Sequence, residues 1–154
     1  MNKYFIGIDV GISGAITILD ENKTILEIIK TPNTIKDFSD YIDKYKENSI
    51  AMIEAIHSFP GNYHAAAFSF GEINGITKTI IQLKEIPSYF VSPQKWMNWY
   101  QMRKDKMETD TQWKDRLLIK SQQLFPKYKI YKYAADSVLI ANYLYVLYER
   151  KELK

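Results

Sequence analysis

Along the first third of the chain, apolar positions come in short blocks broken by turn residues. Residues 4–9 (YFIGID), 14–21 (GAITILDE) and 24–32 (TILEIIKTP) are such blocks. Short apolar runs bounded by Gly, Asp and Asn read as strands joined by tight hairpins, here an antiparallel three-strand meander. Residues 34–48 change period: Ile35, Phe38, Tyr41, Ile42 and Tyr45 recur at three and four, the stripe of an amphipathic helix with Thr34 as its N-cap. Residues 49–56 (SIAMIEAI) are apolar throughout apart from Ser49 and Glu54, as in a central strand buried on both faces. Residues 57–63 read as a loop and 64–86 as a long helix. A fifth strand is expected at 88–93, then helices at 94–102, 111–125 (capped by Thr109 or Asp110) and 134–153. The result is a mixed α/β domain rather than alternating doubly wound units, with no repeat or linker.

At 154 residues the chain suits one domain, residues 1–154, with a real core. No apolar run reaches the ~20 residues of a membrane span, and the N-terminus lacks the pattern of a signal peptide, so a cytoplasmic protein without membrane partners is expected. The absence of cysteine excludes disulfides and cysteine-ligated zinc. Net charge is only +3, but it is uneven: residues 95–132 carry ten Lys and Arg against four Asp and Glu, leaving the remainder at −3. All three tryptophans, Trp96, Trp99 and Trp113, fall in this basic stretch. Basic residues with interleaved aromatics are a footprint of nucleic-acid binding; the competing reading is a solvated helical face with the tryptophans packed inward.

Two acids interrupt apolar strands, Asp9 in the first and Glu54 in the fourth, and Asp136 opens the last apolar helix. Buried carboxylates are costly without a partner. Ligands in open α/β sheets bind beyond the carboxyl ends of the strands, where Asp9 and Glu54 would converge if strands one and four are parallel neighbours. The closing helix would bring Asp136. Three carboxylates repel unless a cation neutralises them, and oxygen-only ligation suits Mg²⁺ or Mn²⁺. Carboxylate-held metal is common machinery for attack of water on a phosphodiester. The competing reading pairs Glu54 with a lysine and makes Asp136 a helix cap. His57 and His64 fit hydrogen bonding or packing better than metal ligation.

GIDVGISGAI, IEAIHSFPGN, FSFGEINGI, VSPQKWMNWY, KDRLLIKSQQLFP and AADSVLIANY occur in that order over residues 4–143. This ordered set resembles the RuvC-type Holliday junction resolvases, especially their compact phage-type branch. The resemblance implies a ribonuclease H-like fold with a five-stranded mixed sheet flanked by helices. It also implies a homodimer, and Mg²⁺-dependent cleavage of four-way DNA junctions. By motif, Asp9, Glu54 and Asp136 match metal-binding acids, and Lys95 and Lys114 match basic residues that contact phosphate or stabilise the transition state. Phe59 would stack on an unpaired base or, equally, anchor its loop by packing inward. Two departures stand out. Val10 replaces the usual Pro, and Lys132 and Tyr133 occupy the positions where a fourth Asp or His is expected, which puts a second metal in doubt.

The expectation is a structure-selective DNA endonuclease with Asp9, Glu54, Asp136 and Lys114 in the site, and Phe59, Lys95, Lys114, Arg116 and Lys120 toward DNA. A two-fold dimer is expected along the 64–86 helix, where Gly71 and Gly75 lie one turn apart beside Ile73, Ile76 and Ile80. The alternative for the glycines is tight packing on the protein's own sheet. Alternative functions are a branched-DNA-binding protein that cleaves poorly, and an RNA nuclease similar to the YqgF type. An Asp-x-Gly-x-x-Gly turn at residues 9–14 also resembles the phosphate loop of actin-like kinases, but those need two such lobes, so no nucleotide cofactor is expected.

Overall fold

The computed structural model describes residues 3–55 and 64–153; the expectations for His57 and Phe59 lie outside them, as does the side chain of His64. The strands are β1 (Tyr4–Asp9), β2 (Ala15–Leu19), β3 (Ile25–Lys30), β4 (Ser49–Glu54) and β5 (Ser88–Val91). The helices are α1 (Ile35–Asp43), α2 (His64–Leu83), α3 (Pro93–Trp99), α4 (Asp110–Leu124) and α5 (Ala135–Glu149), the last preceded by a 3₁₀ turn at Lys132–Ala134. Every predicted element is present, and most are trimmed by a few residues at their ends.

The sheet runs β3-β2-β1-β4-β5. β1, β2 and β3 form the antiparallel meander, and β4 is parallel to both β1 and β5. The β2–β3 turn is held by Asp20, whose Oδ1 accepts from the backbone N–H of Asn22 at 3.0 Å and of Thr24 at 2.7 Å. Thr34 caps α1 by accepting from the Asp37 N–H at 3.0 Å. For α4 the cap is Thr109, not Asp110. Thr109 and Gln112 exchange side-chain and backbone bonds in a reciprocal capping box, which stabilises such a helix start by about 1 kcal/mol.

Alternate residues of each strand feed two cores. Ile6, Ile8, Ala51 and Ile53 pack with Phe38, Ile42 and Ile81 of α1 and α2. Phe5, Ile50 and Met52 pack on the opposite face with Trp96, Leu117 and Leu139 of α3, α4 and α5. The architecture is therefore helix–sheet–helix. α5 is buried along its first ten residues, Ala135 to Leu144, because it lies between the sheet and α3 and α4.

Gly7 is what lets α5 come so close. A Cβ added there would stand 2.4 Å from the Ala141 nitrogen and 2.4 Å from the Ser137 oxygen, both backbone atoms of α5. Beside this crossing the Thr17 and Ser137 hydroxyls hydrogen-bond at 2.7 Å. Gly14 serves the hairpin itself, since a Cβ there would stand 2.1 Å from the Asp9 carbonyl oxygen. The helix glycines differ: among the described residues, nothing beyond the helix's own backbone lies within 4 Å of a Cβ built on Gly71 or Gly75. The alternative reading, that they seat α2 on its own sheet, is thus corrected. Both open onto a surface concavity with Ile35, Ile76 and Leu83. Ile80, grouped with them in the sequence reading, belongs to the internal core instead, at 4 % exposure.

Candidate active site

Period-two alternation decides where the strand acids point. Asp9 is in phase with Phe5 and Gly7, so it faces α5; Glu54 is in phase with Ile50 and Met52 and faces the same way. Ile8 pairs with Ile53 in the parallel register, which puts the next residues along, Asp9 and Glu54, side by side at the carboxyl ends of neighbouring strands. Asp136, near the start of α5, meets them from the helix layer and is only 7 % exposed.

Neither competing reading of these acids holds. Asp136 does not cap α5, whose N-cap residue is Ala134 with no side-chain cap bond. Its Oδ2 accepts from the Lys114 ammonium, and its buried Oδ1 has no hydrogen-bond partner among the described residues. Glu54 does not pair directly with a lysine: its Oε1 accepts the indole N–H of Trp96 at 2.9 Å.

The electrostatics are those of a crowded acidic site. Burial raises the Asp9 carboxyl well above its ordinary value, and the charges of Asp136 and Glu54 push it further. Hydrogen bonding to Glu54 adds a smaller upward push at Asp9. Burial also raises Glu54, against the lowering effect of the Trp96 bond. At Lys114 burial pulls downward, but Asp136, Asp9 and Glu54 together outweigh it and the net shift is upward. Three carboxylates thus share one resident ammonium.

Among the described residues, no three His, Cys, Asp or Glu side chains are arranged to hold a metal ion as the structure stands; Lys114 is seated on Asp136 where a cation would have to share that carboxylate. The donor chemistry nevertheless fits a hard divalent cation. The donors are all oxygens, Asp136 Oδ1 is buried and has no partner among the described residues, and burial, together with the neighbouring carboxylates, raises the Asp9 carboxyl. The positions of the absent fourth ligand are turned to other uses. The Lys132 ammonium is held by Asp115, and the Tyr133 ring lies parallel to that of Tyr131.

The sequence reading missed Trp96 as part of the site. Trp96 is fully buried, and its helix is tied to α5: the Tyr100 hydroxyl donates to the Leu139 carbonyl at 2.7 Å and accepts from Asn142 Nδ2 at 2.7 Å. A buried tryptophan needs a partner for its N–H; an acid in an apolar strand and a tryptophan without an evident polar neighbour were the signal available. Replacing Trp96 by Phe keeps an aromatic ring but leaves Glu54 without that donor. The expected outcome is a tenfold or greater loss of Mn²⁺ affinity by calorimetry, the scale of losing a partner that orients a metal ligand.

The basic segment is dispersed. Trp96 and Trp113 are core residues and Trp99 packs against Tyr100 and Tyr143, so for the tryptophans the inward-packing reading holds. On α4, Arg116 and Lys120 lie about 200° and 240° around the helix from Lys114 and do not share its face. Arg116 pairs with Glu108 at 2.9 Å and sits over the Trp113 ring; Lys120 lies 5.9 Å from the Tyr100 ring centre. Lys95 is exposed in the first turn of α3.

The class this architecture defines is the ribonuclease H-like α/β fold. Within it, the chain has the fold of RuvC. It is similar to T. thermophilus RuvC in complex with a Holliday junction substrate, with a TM-score of 0.61 at 14 % identity over 98 % of this chain and 96 % of that one. It is also similar to a second Thermus thermophilus RuvC structure, with a TM-score of 0.58 at 15 % identity over the same shares. No family model and no curated protein matches the sequence. Among the described residues no helix is long and apolar enough to cross a membrane.

Proposed function

We propose that this chain is a divalent-metal-dependent endonuclease that cuts branched DNA, four-way junctions above all. The observation that carries this reading is the convergence of Asp9, Glu54 and Asp136 at the carboxyl ends of β1 and β4, with Lys114 as their counter-charge among the described residues. The fold it shares with a junction-bound RuvC supports the choice of substrate.

Asp9, Glu54 and Asp136 would hold the cation, Mg²⁺ or Mn²⁺, which polarises the scissile phosphate and acidifies water when bound. Trp96 fixes Glu54 through its N–H. Asp136 Oδ1, without a partner among the described residues, accepts a hydrogen bond from the attacking water and orients it in line. Lys114, once released from Asp136, donates to a phosphate oxygen as negative charge grows there. Lys95 reaches backbone phosphates from the first turn of α3. Selectivity comes from the shape and deformability of the junction rather than base edges.

The test is incubation of purified protein with an immobile four-way junction, a matched duplex and a structured RNA, with Mg²⁺ and Mn²⁺ in turn. Metal-dependent cleavage confined to the junction is expected. Cleavage of RNA alone would overturn the substrate, and cleavage without metal the mechanism. A second reading, a junction-binding protein that cleaves poorly, is favoured by the seat of Lys114 on Asp136; junction binding with no cleavage in either metal is its signature.

A four-way junction is nearly two-fold symmetric, so one site per chain calls for a two-fold dimer. The α2 face bearing Gly71, Gly75 and Ile76 is the proposed interface. Because a Cβ added at Gly75 has no atom within 4 Å among the described residues beyond its own helix backbone, Gly75→Leu is expected to leave the fold intact and to obstruct a partner. Light scattering at micromolar concentration is expected to give a dimer for the parent chain and a monomer for Gly75→Leu, with the unfolding temperature unchanged.

A further inference from the structure

We propose that Tyr131 and Tyr133, with Lys30, Lys129 and Lys132, form a stacking platform that receives an unpaired nucleotide of a nucleic-acid strand beside the carboxylate site. This rests on the nuclease reading above and adds where the strand lies. The two tyrosine rings are parallel, 9° between planes with centroids 6.0 Å apart. Tyr133 packs against the internal core, whereas Tyr131 is 51 % exposed. Tyr133 therefore roots the pair, and Tyr131 adds a rigid aromatic surface that the core does not need.

Cations surround the rings. Lys30 Nζ lies 5.0 Å from the Tyr133 ring centre and Lys129 Nζ 5.2 Å from that of Tyr131. Both lysines are exposed. The stretch 127–133 reads Lys-Tyr-Lys-Ile-Tyr-Lys-Tyr, with no acid. An aromatic face set among cations is how strands are bound without sequence preference: the base stacks on the ring and the lysines track the phosphates. Exposed lysine–ring contacts are weak, so an incoming base displaces the Lys129 ammonium onto a phosphate at little cost.

The location ties the platform to the chemistry. Tyr133 is three residues before Asp136, and Lys132 is held by Asp115, the neighbour of the Lys114 that binds Asp136. The 3₁₀ turn and the first turns of α4 thus flank the acids, and a strand lying on the platform leads its phosphates to them. The residues standing where a fourth metal ligand is expected support the platform instead: Tyr133 backs the Tyr131 ring and Lys132 is held by Asp115 beside it.

The experiment compares Tyr131→Ala, Tyr131→Phe and Tyr131→Trp with the parent chain. Fluorescence anisotropy follows binding of an immobile four-way junction, an oligothymidylate and a matched duplex in Ca²⁺. Tyr131→Ala is expected to bind the junction and the oligothymidylate about tenfold more weakly, the scale of one base–aromatic stack, with duplex binding little changed. Phe and Trp are expected to restore binding, and Lys129→Ala to reduce the salt slope by about one. The platform is overturned if Tyr131→Ala binds the junction and the oligothymidylate within twofold of the parent, or if Tyr131→Phe loses as much as Tyr131→Ala. A parent chain that binds none of the three probes would overturn the nuclease reading together with the platform, and is thereby distinguished from failure of the platform alone.

Discussion

Asp9→Asn is expected to abolish the proposed junction cleavage, by about 10²–10³-fold or more, the scale of losing an electrostatic stabiliser of the transition state. Binding to the junction in Ca²⁺ is expected to be unchanged or tighter, since one carboxylate fewer opposes the phosphates. The same substitution has a signature in the metal-free protein. The folded-state Asp9 carboxyl is raised above its ordinary 3.8, first by burial and then by Asp136 and Glu54. Between 3.8 and that raised value the folded protein holds a proton that the unfolded chain has released. Stability therefore falls as pH rises through this window and stays lower above it. Asn carries no charge and escapes the cost. Without metal, Asp9→Asn is expected to melt above the parent chain at neutral pH, and the difference is expected to vanish below pH 3.8. Mn²⁺ then raises the melting temperature of the parent more than that of the variant. A variant that cleaves normally would sink the proposed chemistry, and a variant that melts lower at neutral pH would sink the electrostatic account of Asp9.

Gly7→Ala is the second large effect. The added methyl carbon would stand 2.4 Å from two backbone atoms of α5, and backbone cannot move aside as a flexible side chain can. Overpacking of this kind costs about 3 kcal/mol, a large share of the ~5–15 kcal/mol that holds such a domain together. The melting temperature falls by about 6–12 °C on that basis. Since α5 carries Asp136, its displacement also moves the third acid, so the proposed cleavage is expected to be lost even where the fold survives. Adding Ala141→Gly to Gly7→Ala is expected to rescue little, because the Ala141 nitrogen, not only its methyl, is in the way. Full rescue would show that the crossing is looser than described.

Much of the sheet was legible in the sequence because each strand is a short apolar block. The adjacency of Asp9 and Glu54 followed from one correct inference, that strands one and four are parallel neighbours. The rest depended on distance in sequence. Trp96 and Glu54 are 42 residues apart, and a buried tryptophan looks alike in sequence whether or not its N–H has a partner. The seat of Lys114 on Asp136 depends on how the 3₁₀ turn brings α5 against α4, and no periodicity reports that. Composition misled at the tryptophans, since a basic stretch with interleaved aromatics can equally be an amphipathic layer with its rings in the core. The exposed aromatic of that region, Tyr131, sat in a short irregular segment without a pattern to mark it.

The crossing of β1 and α5 has a consequence for how the protein comes into being. Asp9 and Glu54 belong to the early part of the sequence and Asp136 to the late part, yet the three acids meet only when α5 seats on Gly7. Chains synthesised from the N-terminus emerge at ~5–20 residues per second, so a nascent chain carries the two strand acids for seconds before Lys114 and Asp136 exist. During that interval the sheet lacks its covering helix and the acids lack their counter-charge. Pairing segments so far apart in sequence is a slow step of folding. The complete set of three acids thus forms only when α5 docks on the sheet.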